Sequence, residues 1–340
     1  MTGKGMPAPS SQPGPASTLR VSAPEVIGLD LGGTKLSAAR LAGSELGEIA
    51  TSPTERESTA KLLDALVAAV EELRGPGLAA VGVGVPSVID SETGRARASV
   101  NVPLQDVPLR ATLRERLGVP VYVENDATCA ALADAHADPE RVVQTLVMLT
   151  VGTGVGGGIV IGGRPYRGAT GAAGELGHTL IGAELSAGAP EAGTFPQPGS
   201  LEALAAGRQL DHLAEQSAAA HPESALGRAA AEGRAVLGRE AVAAARAGDE
   251  AAVRAVRTLA ERLGIGIANA INTFDPEVVA IGGGVVAAGE LLLEPAREVA
   301  RRFTLPGVGT STEIRLARFG ADAGVRGAAL LAAQELELEP

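Results

Sequence analysis

Val26-Ile27-Gly28-Leu29-Asp30-Leu31-Gly32-Gly33-Thr34-Lys35-Leu36-Ser37-Ala38-Ala39-Arg40-Leu41 is the stretch whose reading decides the fold. Val26 to Leu31 is a short apolar run of the buried-strand type. Gly32-Gly33-Thr34-Lys35 is a turn, and residues 36–41 resume a strand pattern. A dinucleotide-binding or Walker loop leads from a strand into a helix. Here the turn leads into a second strand, which disfavours both of those folds. The glycines would still let backbone N–H groups approach phosphate oxygens without a Cβ in the way. Thr34 adds a hydroxyl donor, Lys35 a cation, and Asp30 a carboxylate able to hold Mg²⁺ through water. An ordinary hairpin turn accounts for the same residues.

The theme returns 120 residues on. Residues 145–151 form a β-rich run, Gly152-Thr153-Gly154 is a turn, and residues 155–161 continue as a strand through Gly156-Gly157-Gly158. That much glycine weakens a strand, and close approach of a ligand is the usual compensation. Thr153 would donate to a terminal phosphate. Two such hairpins, each opening one half of the chain, read as an internal duplication. This ground plan resembles the two-lobed actin/hexokinase-like ATPases, an α/β (ribonuclease H-like) fold with duplicated mixed sheets that clamps ATP between lobes. The expected division is a Pro/Ser-rich disordered tail at 1–24, a first lobe at 25–123 closed by a C-terminal helix at 321–338, and a larger second lobe at 124–320.

The remaining pattern fills in that plan. Apolar spacing predicts helices at 59–74, 108–117, 127–137 and 291–303, and a helical region with breaks from 200 to 271. Strands are expected at 78–86, 119–123, 278–281 and 314–316. The chain has 340 residues, more than one compact core accommodates. Hydrophobic residues make up 45% and aromatics only 2%, so Val, Ile, Leu and Ala must fill the interior. A net charge of -11 argues against a nucleic-acid or anionic membrane surface, which rewards Lys and Arg. The single cysteine, Cys129, excludes an intrachain disulfide and any multi-cysteine metal site. No apolar run reaches the roughly 20 residues of a membrane span. A reducing, cytoplasmic setting is the expectation.

Four further motifs carry chemistry. Glu124-Asn125-Asp126-Ala127 stands where a strand becomes a helix. Phosphoryl transfer to an alcohol needs one carboxylate to position the hydroxyl and accept its proton, and Asp126 suits that role. Asn125 would fix a neighbouring hydroxyl. Either residue also reads as a plain helix N-cap. Gly168-Ala169-Thr170-Gly171-Ala172-Ala173-Gly174-Glu175-Leu176-Gly177-His178 puts Glu175 and His178 three apart, on one side of a turn, as a pair able to read polyol hydroxyls. A structural role is the commoner one for a lone histidine. Ser200-Leu201-Glu202 places a carboxylate in a first helical turn, where the helix dipole alone would favour it. Ile281-Gly282-Gly283-Gly284 ends a buried strand in glycines on which an adenine or ribose can lie flat, or which serve as a flexible turn.

Taken in order, Asp-Leu-Gly-Gly-Thr-Lys, Glu-Asn-Asp-Ala, Gly-Thr-Gly-Val-Gly-Gly-Gly, Gly-Glu-Leu-Gly-His, Leu-Glu-Ala-Leu-Ala-Ala-Gly and Gly-Gly-Gly resemble the ROK (repressor, ORF, kinase) family, and its glucokinases in particular. The resemblance runs from about Glu25 to about Leu336. It implies an ATP-dependent sugar kinase with Asp126 as catalytic base. It implies sugar contacts from Asn101, Asn125, Glu175, His178 and Glu202, and phosphate contacts from Gly32, Gly33, Thr34 and Thr153, with Gly152 and Gly154 in the same turn. Gly283 and Gly284 would form the adenosine site. ATP and Mg²⁺ are the implied cofactors, and a homodimer or homotetramer the implied assembly. Many ROK proteins hold a structural zinc through a histidine and three cysteines. The resemblance puts those cysteines at Gly193, Phe195 and Ser200, so a zinc-free member is expected.

The expected reaction is transfer of the ATP γ-phosphoryl group to a hexose hydroxyl, with glucose first and another hexose or N-acetylhexosamine as alternatives. Two rivals are weighed against it. A non-catalytic sugar-sensing regulator of the same family would carry a helix-turn-helix ahead of Glu25, where a short Pro/Ser-rich tail is expected. An actin- or chaperone-like ATPase would not need the Glu175, His178 and Glu202 set.

Overall fold

The computed structural model describes residues 24–338 apart from Val100, Ala187 and Pro190. Of the expected N-terminal tail, all but Pro24 lies outside the described residues.

The opening stretch folds as strand, turn, strand. β1 (Glu25–Leu31) pairs antiparallel with β2 (Lys35–Ala42), and Gly32 N–H donates to the Lys35 carbonyl at 2.9 Å to close the turn. β3 (Glu45–Leu46) and β4 (Ala50–Pro53) extend β2 outward. On the other side of β1 lie β5 (Leu78–Val85) and then β8 (Val121–Asn125), both parallel to it. α1 (Thr59–Leu73) and α2 (Leu109–Leu117) cover one face, and Leu62, Leu66, Val70, Leu109 and Leu113 interdigitate there with the strand side chains. β6 (Val88–Asp90) and β7 (Arg95–Ala98) form a small separate hairpin that the sequence pattern did not suggest.

The second lobe repeats the plan. β9 (Thr145–Val151) pairs antiparallel with β10 (Val155–Ile161), which carries β11 (Arg164–Pro165) at its far edge. β12 (Val278–Gly282) lies parallel to β9, and β13 (Glu313–Leu316) parallel to β12. The order β10-β9-β12-β13 matches β2-β1-β5-β8 strand for strand in direction. The duplication read from two glycine turns is thus a duplication of sheet topology. α4 (Leu201–Ala205), α5 (Gly207–Ala220), α6 (Ala225–Ala231), α7 (Gly238–Arg246), α8 (Glu250–Phe274) and α9 (Glu290–Phe303) build the larger helical layer of this lobe. The helical region expected from 200 to 271 has its first break at Ala206, whose ψ of 160° is extended and separates α4 from α5.

Two Ala-rich helices join the sheets. α3 (Asp126–Ala135) packs on β9 and β10, and α10 (Ala323–Leu336) packs on β1, β5 and α3. The closeness of α10 to its sheet explains two glycines. A Cβ at Gly28 would sit 2.1 Å from the Val325 carbonyl oxygen, and one at Gly82 only 1.7 Å from that of Ala328. Small residues let these backbones touch, so the Ala/Gly-rich composition has a packing role here. Among the described residues no helix is long and apolar enough to cross a membrane.

Candidate active site

β8 ends at Asn125 and α3 begins at Asp126, one residue earlier than the sequence pattern places the helix. Asn125 caps that helix: its Oδ1 accepts the N–H groups of Ala127 at 2.9 Å and Thr128 at 3.2 Å. The cap uses the oxygen and leaves the amide nitrogen, which faces the Ser87 carbonyl at 3.4 Å, for any other partner. Capping and ligand binding are therefore compatible for this residue. The Asp126 carboxylate accepts the Ala127 N–H at 2.8 Å. Burial raises its pKa above the ordinary carboxylate range, against the pull of backbone N–H groups.

Asp126 opens on two cavities. One, of about 440 Å³, is lined by Asn101, Asn125, Asp126, Glu175, His178 and Glu202, together with Gly152 and Gly154 of the second hairpin. The other, of about 240 Å³, holds Asp126 with Asp30 and Gly283. Asp30 is raised from 3.8 to about 6, first by burial and then by the negative charge of Asp126, with Lys35 opposing. Two carboxylates at one cavity that resist joint ionisation are suited to a cation. A third cavity, of about 580 Å³, adjoins through Gly152; Thr153 and Gly284 line it, with apolar walls from Leu210, Val242 and Val285.

Glu202 is held from two sides. Its Oε2 accepts the Val155 N–H at 2.8 Å, and Arg208 Nη2 donates to Oε1 at 3.4 Å. A side chain at Gly154 would meet that carboxylate, with Cβ 2.5 Å from Oε2, so glycine there admits Glu202 to the hairpin. Gly32, Gly33, Thr34 and Lys35 line none of the three cavities. Gly33 abuts Asn101, the gap between their Cβ positions being 3.2 Å, and Lys35 is exposed with its charge reaching Asp30.

Three arginines of the third cavity, Arg208, Arg239 and Arg246, went unnoticed in the sequence. Arg239 and Arg246 are seven apart on α7, so a helical stripe was there to be read. Arg208 lies beyond the break at Ala206, and no periodicity connects it to Glu202.

The positions at which the resemblance would put zinc-binding cysteines lie between β11 and α4. Ser200 is fully buried, and its hydroxyl accepts the Ala203 N–H at 3.2 Å as the cap of α4. Gly193 is paired through both backbone groups with the Gln197 amide, at 2.8 Å each. Phe195 presents its ring to His178 edge-on, with centroids 5.2 Å apart at 80°. Glycine, phenylalanine and a capping serine do not fit a tetrahedral zinc site. In their place an aromatic contact braces the histidine.

Residues 26–335 match the ROK family. The chain belongs to that family. It is 34% identical over 322 residues to a glucokinase of Halalkalibacterium halodurans, covering 91% of this chain and 95% of that one. Among solved structures, a ROK hexokinase from Thermus thermophilus is 39% identical with a TM-score of 0.75, over 93% of this chain and 100% of that one. A ROK family glucokinase from Streptomyces griseus, in complex with glucose and AMPPNP, is 33% identical with a TM-score of 0.75, over 91% of this chain and 99% of that one. The fold is accordingly the two-lobed ATPase fold of these sugar kinases, and the matched span includes every site residue discussed above.

Proposed function

We propose that this ROK family protein is an ATP-dependent sugar kinase that phosphorylates a hexose hydroxyl, with glucose as its preferred acceptor. One observation carries the reading: among the described residues, Asp126 is the only carboxylate shared by the polar cleft and the cavity that holds Asp30. A base at that junction meets an alcohol oxygen on one side and a terminal phosphate on the other.

The sugar lies in the 440 Å³ cleft. Asn101, the Asn125 amide nitrogen, Glu175, His178 and Glu202 read its hydroxyls. The adenosine occupies the 580 Å³ cavity, base against Leu210, Val242 and Val285, with its phosphates leading toward the Gly152-Thr153-Gly154 turn. Asp126 accepts the proton of the attacking hydroxyl as its oxygen bonds to the γ-phosphorus and ADP leaves. A carboxyl raised by burial is a stronger base than an exposed one, which suits it to this proton. Asp30 would hold Mg²⁺ through water, and a bound Mg²⁺ neutralises phosphate charge. Glucose is favoured by the glucokinase relatives and by the glucose held in the Streptomyces griseus enzyme.

The test is ADP release measured by a coupled assay against a panel of hexoses and N-acetylhexosamines. Glucose should give the highest kcat/KM. ATP turnover indifferent to every sugar would sink the reading and favour an ATPase. Asp126→Asn should keep sugar binding and lose about 10²–10⁴ in kcat. Wild-type turnover by that variant would remove the base assignment.

A further inference from the structure

Arg167 lines none of the three cavities, yet it ties together the parts that do. It lies two residues beyond β11, in the second lobe. Its Nε donates to Glu124 Oε2 at 2.6 Å, and its Nη2 to Glu335 Oε1 at 2.9 Å. Glu124 belongs to β8 of the first sheet, and Glu335 to the last turns of α10, which packs on that sheet. One guanidinium thus reaches from beside the second sheet to a carboxylate on the first sheet and to another on the helix that packs against it.

Both ends of this clamp lead into the site. Glu124 is only 3% exposed, and its other oxygen accepts the Asn125 backbone N–H at 2.9 Å. The chain of bonds therefore runs from Arg167 through Glu124 to the residue that caps α3, next to Asp126. In the opposite direction Arg167 passes directly into the 168–178 loop, and its carbonyl accepts the Ala173 N–H at 3.1 Å. That loop carries Glu175 and His178. The hairpin behind it is fastened twice more to the same end of α10. Arg164 Nη2 donates to the Gln334 carbonyl at 3.2 Å, and Gln334 Nε2 to the Gly163 carbonyl at 3.0 Å.

A buried ion pair is weak evidence for stability, since apolar residues of like volume often stabilise as well or better. Its placement points elsewhere. We propose that Arg167 is a positioning residue for phosphoryl transfer, holding the Asn125–Asp126 strand end in register with the 168–178 loop, with Glu335 fixing the second arm of its fork. The proposal rests on the sugar-kinase reading for the roles of Asp126, Glu175 and His178. It makes the end of the C-terminal helix part of the active-site support, although no residue of that turn touches a cavity described above.

The experiment compares full-length wild type with Arg167→Met, Arg167→Lys, Glu335→Gln and the double variant Glu124→Gln/Arg167→Met. Steady-state kinetics with sugar and with ATP are joined to hydrogen exchange of the 168–178 amides by mass spectrometry. Arg167→Met should lower kcat/KM for the sugar by about 10²-fold, as expected for misplacement near the chemistry. Its KM for ATP should stay near the wild-type value, and the loop amides should exchange faster. Arg167→Lys should recover part of the loss, since an ammonium can make one of the two bonds but not the fork. Glu335→Gln should have a smaller effect in the same direction. The double variant leaves no lone buried charge, so it should fold even where Arg167→Met does not. It should remain at least about tenfold slow because the clamp is still missing. Wild-type kinetics in the double variant would show that Arg167 merely neutralises Glu124, and would overturn the proposal. Unchanged loop exchange in both Arg167→Met and the double variant would overturn it as well. If the wild type phosphorylates no sugar, the kinase reading fails, while the exchange data still decide whether Arg167 orders the loop.

Discussion

Asp30→Asn should make the unliganded protein more stable and less active, in amounts the structure sets. The carboxyl of Asp30 is raised from 3.8 to about 6 by burial and by Asp126. Its ionised form is therefore disfavoured in the folded state relative to the unfolded chain. The sign follows from linkage: a raised folded pKa contributes stability below pH 3.8 that is lost as pH climbs through about 6. At 1.36 kcal/mol per pH unit the full loss is about 3 kcal/mol. Solvent reaching the cavity reduces this to roughly 1–2 kcal/mol. Asparagine cannot ionise and escapes the loss. At pH 7.5, without nucleotide or Mg²⁺, the variant should melt about 2–8 °C above wild type. The gap should close as the pH is lowered toward 4. Urea unfolding at pH 4, 5, 6 and 7.5 gives the profile, and a coupled ADP assay gives the activity. Mg²⁺-dependent turnover should fall sharply. A variant no more stable than wild type at pH 7.5, or one whose advantage grows as the pH falls, would refute the reasoning.

Gly82→Ala should fail to fold, or lose more than about 3 kcal/mol, because its Cβ would lie 1.7 Å from the Ala328 carbonyl and push α10 off the sheet; circular dichroism and soluble yield check this. Phe195→Ala removes the ring that meets His178 edge-on, a contact worth about 0.5–1.5 kcal/mol. The sugar KM should rise by roughly 2–10-fold while kcat holds, and an unchanged KM would leave the bracing role without support.

Cys129 lies among the same carboxylates. The thiol is fully enclosed and its pKa is pushed well above the ordinary range, by burial first and then by the charges of Glu124, Asp30 and Asp126. It packs behind the Asn125–Asp126 turn, where a Cβ on Gly84 would lie 3.2 Å from its sulfur. Its position next to the site is one of packing, since a thiol held protonated is a poor nucleophile.

Much of the architecture was legible because it is written locally. A strand, a glycine turn and a strand are fixed by residues within sixteen positions, and their recurrence at 145–161 is enough to announce a duplicated sheet. The cap at Asn125 and the turn that sets Glu175 beside His178 are local as well. Boundaries slipped where local signals compete. β8 runs on to Asn125 because Val85 pairs with it across the sheet, which no pattern in 119–127 reveals. The β6–β7 hairpin escaped notice because Val88–Ala98 is rich in charge and in turn formers, and its pairing is supported by Asp90 accepting from Thr93 and Arg97.

By itself, then, the sequence determined the fold class, the two hairpins and the identities of the acidic and polar residues that line the cleft, since those follow from short-range backbone preferences and side-chain chemistry. Tertiary structure decided which of them meet. It buried Asp30 beside Asp126, raising its carboxyl to about 6 by burial first and by that charge second, placed the Glu202 carboxylate on the second hairpin, and ran Arg167 to partners at 124 and 335. Burial and the energy of facing charges depend on distances through space. Chain order does not encode those distances until the two sheets and the helices between them have closed on one another.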